Sequence, residues 1–359
     1  MSNDRTGGSR RKARVKPPVV SFSEQFSPKS PPPDPFDQGS LGAHAVARGF
    51  QDGDTIPAED ILSKIGYQHA SAYFDLFKLP DGSIEPDASM RVLHQCVVFD
   101  RKLQSLMMEY IGLFELQFRA QYSYFMSNER GAFAHRNPKN FKDGKNFEAF
   151  LRRYGAEFNR QLRKGNPDIR RAFDDYGDAP VWLAVEIMSF GTLSMLFKNT
   201  KSKAVRKGVA ASFGATPEEF ESWIYALSAV RNTCAHFGRL CGTKLTARPK
   251  MVPGLGHLDN GTVFYAILVL QHLLSKRTVY VEDTSTAYDM AMLRDFAQLF
   301  TDFSHVTERC GIPKDWVAHL FSRECTGMGS LVADNILNVN KIGRVWFSVH
   351  TGDGVATIE

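Results

Sequence analysis

Arg231, Asn232 and His236 fall in one six-residue stretch of the segment TPEEFESWIYALSAVRNTCAHFGRL, residues 216–240. An arginine and a histidine this close suit cleavage of a phosphodiester in RNA without a metal. A neutral imidazole can take the proton from a 2′-hydroxyl, and an imidazolium can protonate the departing 5′-oxygen. A guanidinium can stabilise the charge that gathers on a phosphorane-like transition state. One histidine cannot serve as base and acid in a single concerted step. Two copies can, where a twofold axis repeats the same patch on both protomers. In this scheme His236 is general acid or base, Arg231 stabilises the transition state, and Asn232 is a positioning group. RxxxxH is a permissive spacing, however, and the same side chains satisfied by carboxylates and carbonyls would be purely structural.

The element that must position them is a helix with a well-specified start. Thr216 and Glu219 form a capping box, and Pro217 takes the first helical position. Phe220, Trp223, Ile224, Leu227, Val230, Cys234 and Phe237 then recur on one face, which predicts packing along that stripe. At about 100° per residue, Asn232, His236 and Arg239 lie together on the polar face. Arg231 is about 140° from His236 and reaches the same pocket through its long side chain or across a dimer interface.

Upstream, the spacing predicts a helix that starts at Pro57, carries Ile61, Leu62 and Ile65 on one face and stops at Gly66. Apolar residues spaced by three and four from Val97 to Met126 predict a long amphipathic helix, with Glu115 and Arg119 four apart on it. Arginines and lysines interleaved with Phe147, Phe150, Tyr154 and Phe158 read either as a grip on a nucleic-acid backbone or as an ordinary amphipathic helix. Pro180 opens a further helix over 181–197 whose one charge is Glu186. Beyond it Lys198, Lys201, Lys203, Arg206 and Lys207 follow without an intervening carboxylate, which makes a phosphate-facing or a merely solvated loop.

Composition bounds the class. With 43% apolar residues in 359, the chain can bury a substantial core. The five cysteines, Cys96, Cys234, Cys241, Cys310 and Cys325, show no CxxC pairing, which argues against a disulfide framework or structural zinc and fits a reducing compartment. The run 263–270 is about half the roughly 20 residues a bilayer requires and reads as a buried helix. Neither this nor the N-terminus suggests a membrane or an export signal, so a cytoplasmic location is expected. Residues 1–54 are rich in Pro, Ser and charge, and Arg5, Arg10, Arg11, Lys12, Arg14 and Lys16 set against Asp4 account for the net charge of +5. They predict a disordered basic tail ahead of a helical domain over 55–320 and a C-terminal extension over 321–359.

The stretch Arg231-Asn232-Thr233-Cys234-Ala235-His236 with Arg239-Leu240 resembles that of the bacteriophage abortive-infection Abi proteins of the AbiD and AbiF type, within the HEPN superfamily. Further elements follow in order: Ile65-Gly66-Tyr67; Phe99-Asp100-Arg101-Lys102-Leu103 with Glu115 and Arg119; Pro180-Val181-Trp182 with Glu186 and Ser189-Phe190-Gly191; and Gly311-Ile312-Pro313 with Trp316. The chain departs from the pattern at Gln68-His69 and at Cys241-Gly242. The resemblance implies an all-α HEPN-type bundle with additional helices. It also implies a homodimer that joins two RxxxxH motifs and an endoribonuclease needing no metal or cofactor. A role in phage defence or as a toxin goes with it, restrained by a partner such as a structured non-coding RNA. Glu186, Glu115 and Arg119 would then orient Arg231, with Arg239 as a further residue supporting the site.

Two other classes stay open at this level: an RNA-binding regulatory protein that grips phosphate without cutting, and a helical scaffold for another protein. Copurifying RNA separates the scaffold from the other two.

Overall fold

The computed structural model describes residues 38–51, 57–275, 279–281, 284–286, 288–321, 347–351 and 354–358. The predicted all-α architecture is what the chain adopts. Its helices are α1 (Gln38–Ala47), α2 (Ala58–Ile65), α3 (Tyr67–Ser71), α4 (Met90–Arg130), α5 (Gly144–Arg163), α6 (Pro167–Tyr176) and α7 (Val181–Ala184). There follow α8 (Phe190–Asn199), α9 (Lys203–Ala211), α10 (Pro217–Ala235), α11 (Val263–Ser275), α12 (Tyr288–Asp302), α13 (Ser304–Thr307) and α14 (Trp316–Phe321). Short 3-10 turns at Phe74–Phe77, Ala134–Arg136, Pro138–Asn140 and Val185–Ile187 and two short antiparallel hairpins, Val279–Val281 with Thr284–Thr286 and Phe347–Thr351 with Gly354–Ile358, complete the described elements.

The 41-residue α4 is the axis of the molecule. The Ser89 side chain caps its start by accepting the Val92 N–H, and Gly131, at a φ of 88° that L side chains rarely adopt, closes it. Between these ends its apolar residues are buried on several faces, because α2, α7, α9, α10, α11 and α12 all pack on it. The middle of the core is a set of interlocked rings. Phe114 and Phe118 from α4 meet Phe220 of α10 at centroid distances of 6.1 and 5.2 Å, and Phe190, Phe197 and Phe213 close around them. Helix α11 is buried almost throughout, in keeping with its apolar sequence, and no described helix is long and apolar enough to cross a membrane.

Three sequence expectations change here. The helical body opens before the expected boundary at residue 54: α1 packs on α2, and Phe50 is buried against Phe74 and Phe77, so an isolated aromatic after the polar stretch anchors this segment. The basic residues 5–16 lie outside the described residues, as does most of 321–359 and Cys325. Next, the single helix expected over 181–197 is broken into α7, a 3-10 turn (Val185–Ile187) and α8. The buried Arg119 guanidinium donates to the carbonyls of Val185 and Met188, which a continuous helix would have used internally, and Ser189 caps α8 by accepting the Thr192 N–H at 3.2 Å. Last, Phe147, Phe150, Tyr154 and Phe158 form the buried inner face of α5, with the arginines outside. Those aromatics are core, and the amphipathic reading holds.

Candidate active site

The capping box that starts α10 is present on both sides, Glu219 accepting from the Thr216 N–H at 2.8 Å and donating its own N–H to the Thr216 hydroxyl at 3.3 Å. Its other end differs from the extrapolated pattern. The helix stops at Ala235, and His236 is the cap residue with φ −100° and ψ 14°. Phe237 turns left-handed at φ 54°. The Phe237 N–H then bonds to the Cys234 carbonyl at 3.0 Å, and the Gly238 N–H reaches back to Thr233 at 2.8 Å, so the last carbonyls are satisfied by a Schellman turn. Gly238 suits this close approach, because a Cβ would stand 2.9 Å from Thr233 Cγ2 and force a shift.

This ending corrects two placements. Phe237 leaves the apolar stripe and is 67% exposed. Arg239 leaves the polar face of the helix: its guanidinium donates to the Ala72 carbonyl and lies 5.8 Å from the Tyr73 ring. Arg231 remains half-buried on the last turn of α10, and Asn232 and His236 are exposed beside it. Among the described residues no hydrogen bond or ion pair engages the Arg231 guanidinium or the His236 ring.

What fixes this terminus is a polar cluster from α4. Asp100, fully buried, accepts the backbone N–H of Leu240 and of Cys241, each at 3.1 Å, and the Tyr73 hydroxyl at 2.7 Å. Burial and this carboxylate both push the Tyr73 hydroxyl pKa up, so the phenol stays protonated as the donor. One turn along, the Gln104 amide donates to the Gly238 carbonyl at 2.9 Å and to Asp100 at 3.2 Å. Arg101 donates to the Phe237 carbonyl at 3.3 Å, to Gln104 at 2.8 Å and to His69 Nε2 at 2.6 Å. Burial first, and the Arg101 charge second, hold the His69 pKa below its ordinary value, so it serves as a neutral acceptor. The sequence presented Asp100 and Arg101 only within the family resemblance and His69 only as a departure from it, and gave none of these residues a role. One signal was there: Asp100 falls on the apolar stripe of α4, four residues from Cys96 and three from Leu103, where a charge needs a reason.

The expected supporting residues lie elsewhere. Glu115 and Arg119 form a buried ion pair, and their level on α4 is that of Phe220 at the start of α10. Eleven residues, roughly 16 Å of helix, separate that level from Arg231. Arg119 holds the α7–α8 junction, and Glu186 is exposed on that same junction. Glu115 and Arg119 thus come together with each other at this junction and not with Arg231. Of the basic run, Arg206 is paired with Glu221 at 2.7 Å and lies over Phe197, and Lys198 is 3.6 Å from the same carboxylate. The intervening carboxylate absent from the sequence run thus arrives from α10. Lys201, Lys203 and Lys207 are exposed, and the first two line a cleft with Arg130, Lys139 and Glu129.

A family model described as Abi-like protein matches residues 60–241, just over half of the 359-residue chain. The chain belongs to the Abi-like protein family. The match begins in α2 and ends at Cys241, so the Abi-like segment holds His69, the Asp100–Gln104 cluster and the whole α10 terminus. The remaining helices of this Abi-like chain still share its core: α11, α12 and α13 pack on α4, and Trp316 of α14 meets Phe300 at 5.2 Å. Comparison with curated proteins and with solved structures yields no match.

Proposed function

We propose that this Abi-like protein is a metal-independent endoribonuclease of the HEPN type, acting in phage defence by abortive infection or as the toxin of a toxin–antitoxin pair. The supporting observation is that Arg231 and His236 both reach solvent at one end of α10, unengaged by carboxylate or carbonyl, on a backbone clamped by Asp100, Arg101 and Gln104. A purely structural pair would be satisfied from within. Here the backbone that follows His236 is braced and both side chains are left open to a ligand, which limits the reorganisation that electrostatic catalysis must otherwise meet.

In the mechanism, one His236 takes the proton of a ribose 2′-hydroxyl, the 2′-oxygen attacks the adjacent phosphorus, and the bond to the 5′-oxygen breaks. The products are a 2′,3′-cyclic phosphate and a 5′-hydroxyl, with the leaving oxygen protonated by His236 of a second protomer. Arg231 donates to the phosphoryl oxygens as charge builds. Asn232, exposed one residue beyond, orients the phosphate. Lys201, Lys203 and Lys207 add a sequence-independent hold on the RNA backbone, and a structured non-coding RNA would restrain the site by occupying it.

The test is incubation of the purified chain with mixed RNA in EDTA. Fragments ending in cyclic phosphate are expected from the wild type and none from Arg231→Ala or His236→Ala, with the dimer intact in both. Shifted but uncut RNA would establish the second reading, a regulatory protein that binds RNA through the same cations. Equal cleavage by the double variant would remove the catalytic assignment.

A further inference from the structure

Phe237 is the most exposed large apolar side chain among the described residues, and it sits directly beside His236. A bulky residue at φ 54° is conformationally costly, since its Cβ crowds the following carbonyl. Strain of this kind persists only where the surroundings over-determine it. Here they do: the Phe237 carbonyl is held by Arg101, the Gly238 carbonyl by Gln104, and the Gly238 N–H by Thr233. The ring is therefore projected outward by a braced backbone, and hydrophobic burial does not place it.

One side of the ring is already engaged. The Arg101 guanidinium lies over it at 5.1 Å from the centroid, and His69 and Gln104 fix that guanidinium in turn. An aromatic ring backed by a cation, with the rest of its surface in water, is a platform for another flat ring. The neighbouring imidazole decides which one.

We infer that Phe237 is the stacking platform for an unpaired nucleobase next to the scissile phosphate, which makes single-stranded segments and loops the substrate class of this site. This rests on the endoribonuclease reading and adds to it a contact that reads no base edge. A phenyl face accepts every base and favours the larger purines, whereas a base inside a duplex is already stacked and cannot use it. Sequence tolerance with strong discrimination against duplex RNA follows.

The test uses the full chain carrying His236→Ala, so that RNA stays intact, and follows binding of a labelled single-stranded oligonucleotide by fluorescence anisotropy at fixed salt. Adding Phe237→Ala is expected to weaken binding roughly five- to a hundred-fold, whereas Phe237→Trp retains it. Replacing one nucleotide by an abasic ribose at the stacked position should cost the His236→Ala chain a similar factor and cost the Phe237→Ala double variant nothing further. Unchanged affinity of the double variant, or an abasic penalty that persists in it, would overturn the platform and leave the ribonuclease reading standing. Sedimentation showing that Phe237→Ala dissociates a dimer formed by the His236→Ala chain would assign the ring to a protomer contact instead, and also overturn it. If the His236→Ala chain binds no RNA of any kind, both readings fall together.

Discussion

The buried carboxylate of Asp100 accepts the backbone N–H of Cys241 at 3.1 Å, tying the middle of α4 to the segment that follows His236 across 141 residues of sequence. The same carboxylate takes the Leu240 N–H and the Tyr73 hydroxyl, so its loss strands several buried donors at once. Asp100→Ala is expected to lower stability by about 3–5 kcal/mol in urea denaturation, from unsatisfied donors at about 1–3 kcal/mol each. Asp100→Asn, which keeps the shape but turns one acceptor into a donor, should lose less. In both, amide exchange at Leu240 and Cys241 should accelerate ahead of global unfolding.

Replacing Phe237 by glycine removes the left-handed penalty. Phe237→Gly is therefore expected to stabilise the fold by about 1 kcal/mol, visible as a raised melting temperature by calorimetry. Gly238→Ala, one residue on, should do the opposite, because its methyl group would stand 2.9 Å from Thr233 Cγ2 and 3.3 Å from the Thr233 carbonyl. A cost of about 1–3 kcal/mol is expected from such overpacking.

Arg119 supports the fold at a distance from Arg231. Arg119→Ala leaves the buried Glu115 carboxylate unpaired and the carbonyls of Val185 and Met188 without their donor. A loss of about 3–5 kcal/mol is expected. At low temperature, where the variant is folded, RNA cleavage per folded molecule should match that of the wild type. A selective loss of turnover in fully folded Arg119→Ala would instead restore an orienting role.

His135 makes stability depend on pH. It is fully buried, neither ring nitrogen has a hydrogen-bond partner, and burial pulls its pKa down to about 4. In the unfolded chain the imidazole titrates near its ordinary value of 6.5, so between these values the unfolded state binds the extra proton. Stability is complete above about pH 6.5 and falls as the pH drops toward 4, by on the order of 3 kcal/mol in all. Denaturation midpoints measured across that window should show this slope in the wild type, and His135→Leu should flatten it.

Much of the site's frame was legible because it depends on near neighbours. Thr216, Pro217 and Glu219 announce the start of α10, Gly66 the end of α2, and the three-and-four spacing the existence of α4. Each involves groups within about one helical turn, so local rules suffice. Arg231 and His236 were legible as residue types at a spacing, and both lie at the surface, as a site needs. The end of α10 was not legible. The glycine that marks it stands one position late, at 238, and Phe237 takes the left-handed turn that a glycine would ordinarily fill.

Tertiary structure alone decided the partners. Asp100 meets Leu240, Arg119 breaks a helix at Val185 and Met188, and Glu221 meets Lys198 and Arg206. These pairs are set by how α4, α8, α9 and α10 approach one another, and no periodicity within a single helix encodes that approach. His69 and Cys241, the two places where the chain departs from the resemblance, lie in the same cluster around Asp100 and Arg101. Residue type and spacing determined which groups have the chemistry that the proposed site needs. Helix packing determined which carboxylates and amides hold the backbone beneath them, since a hydrogen bond between segments more than a hundred residues apart forms only once the core has brought them together.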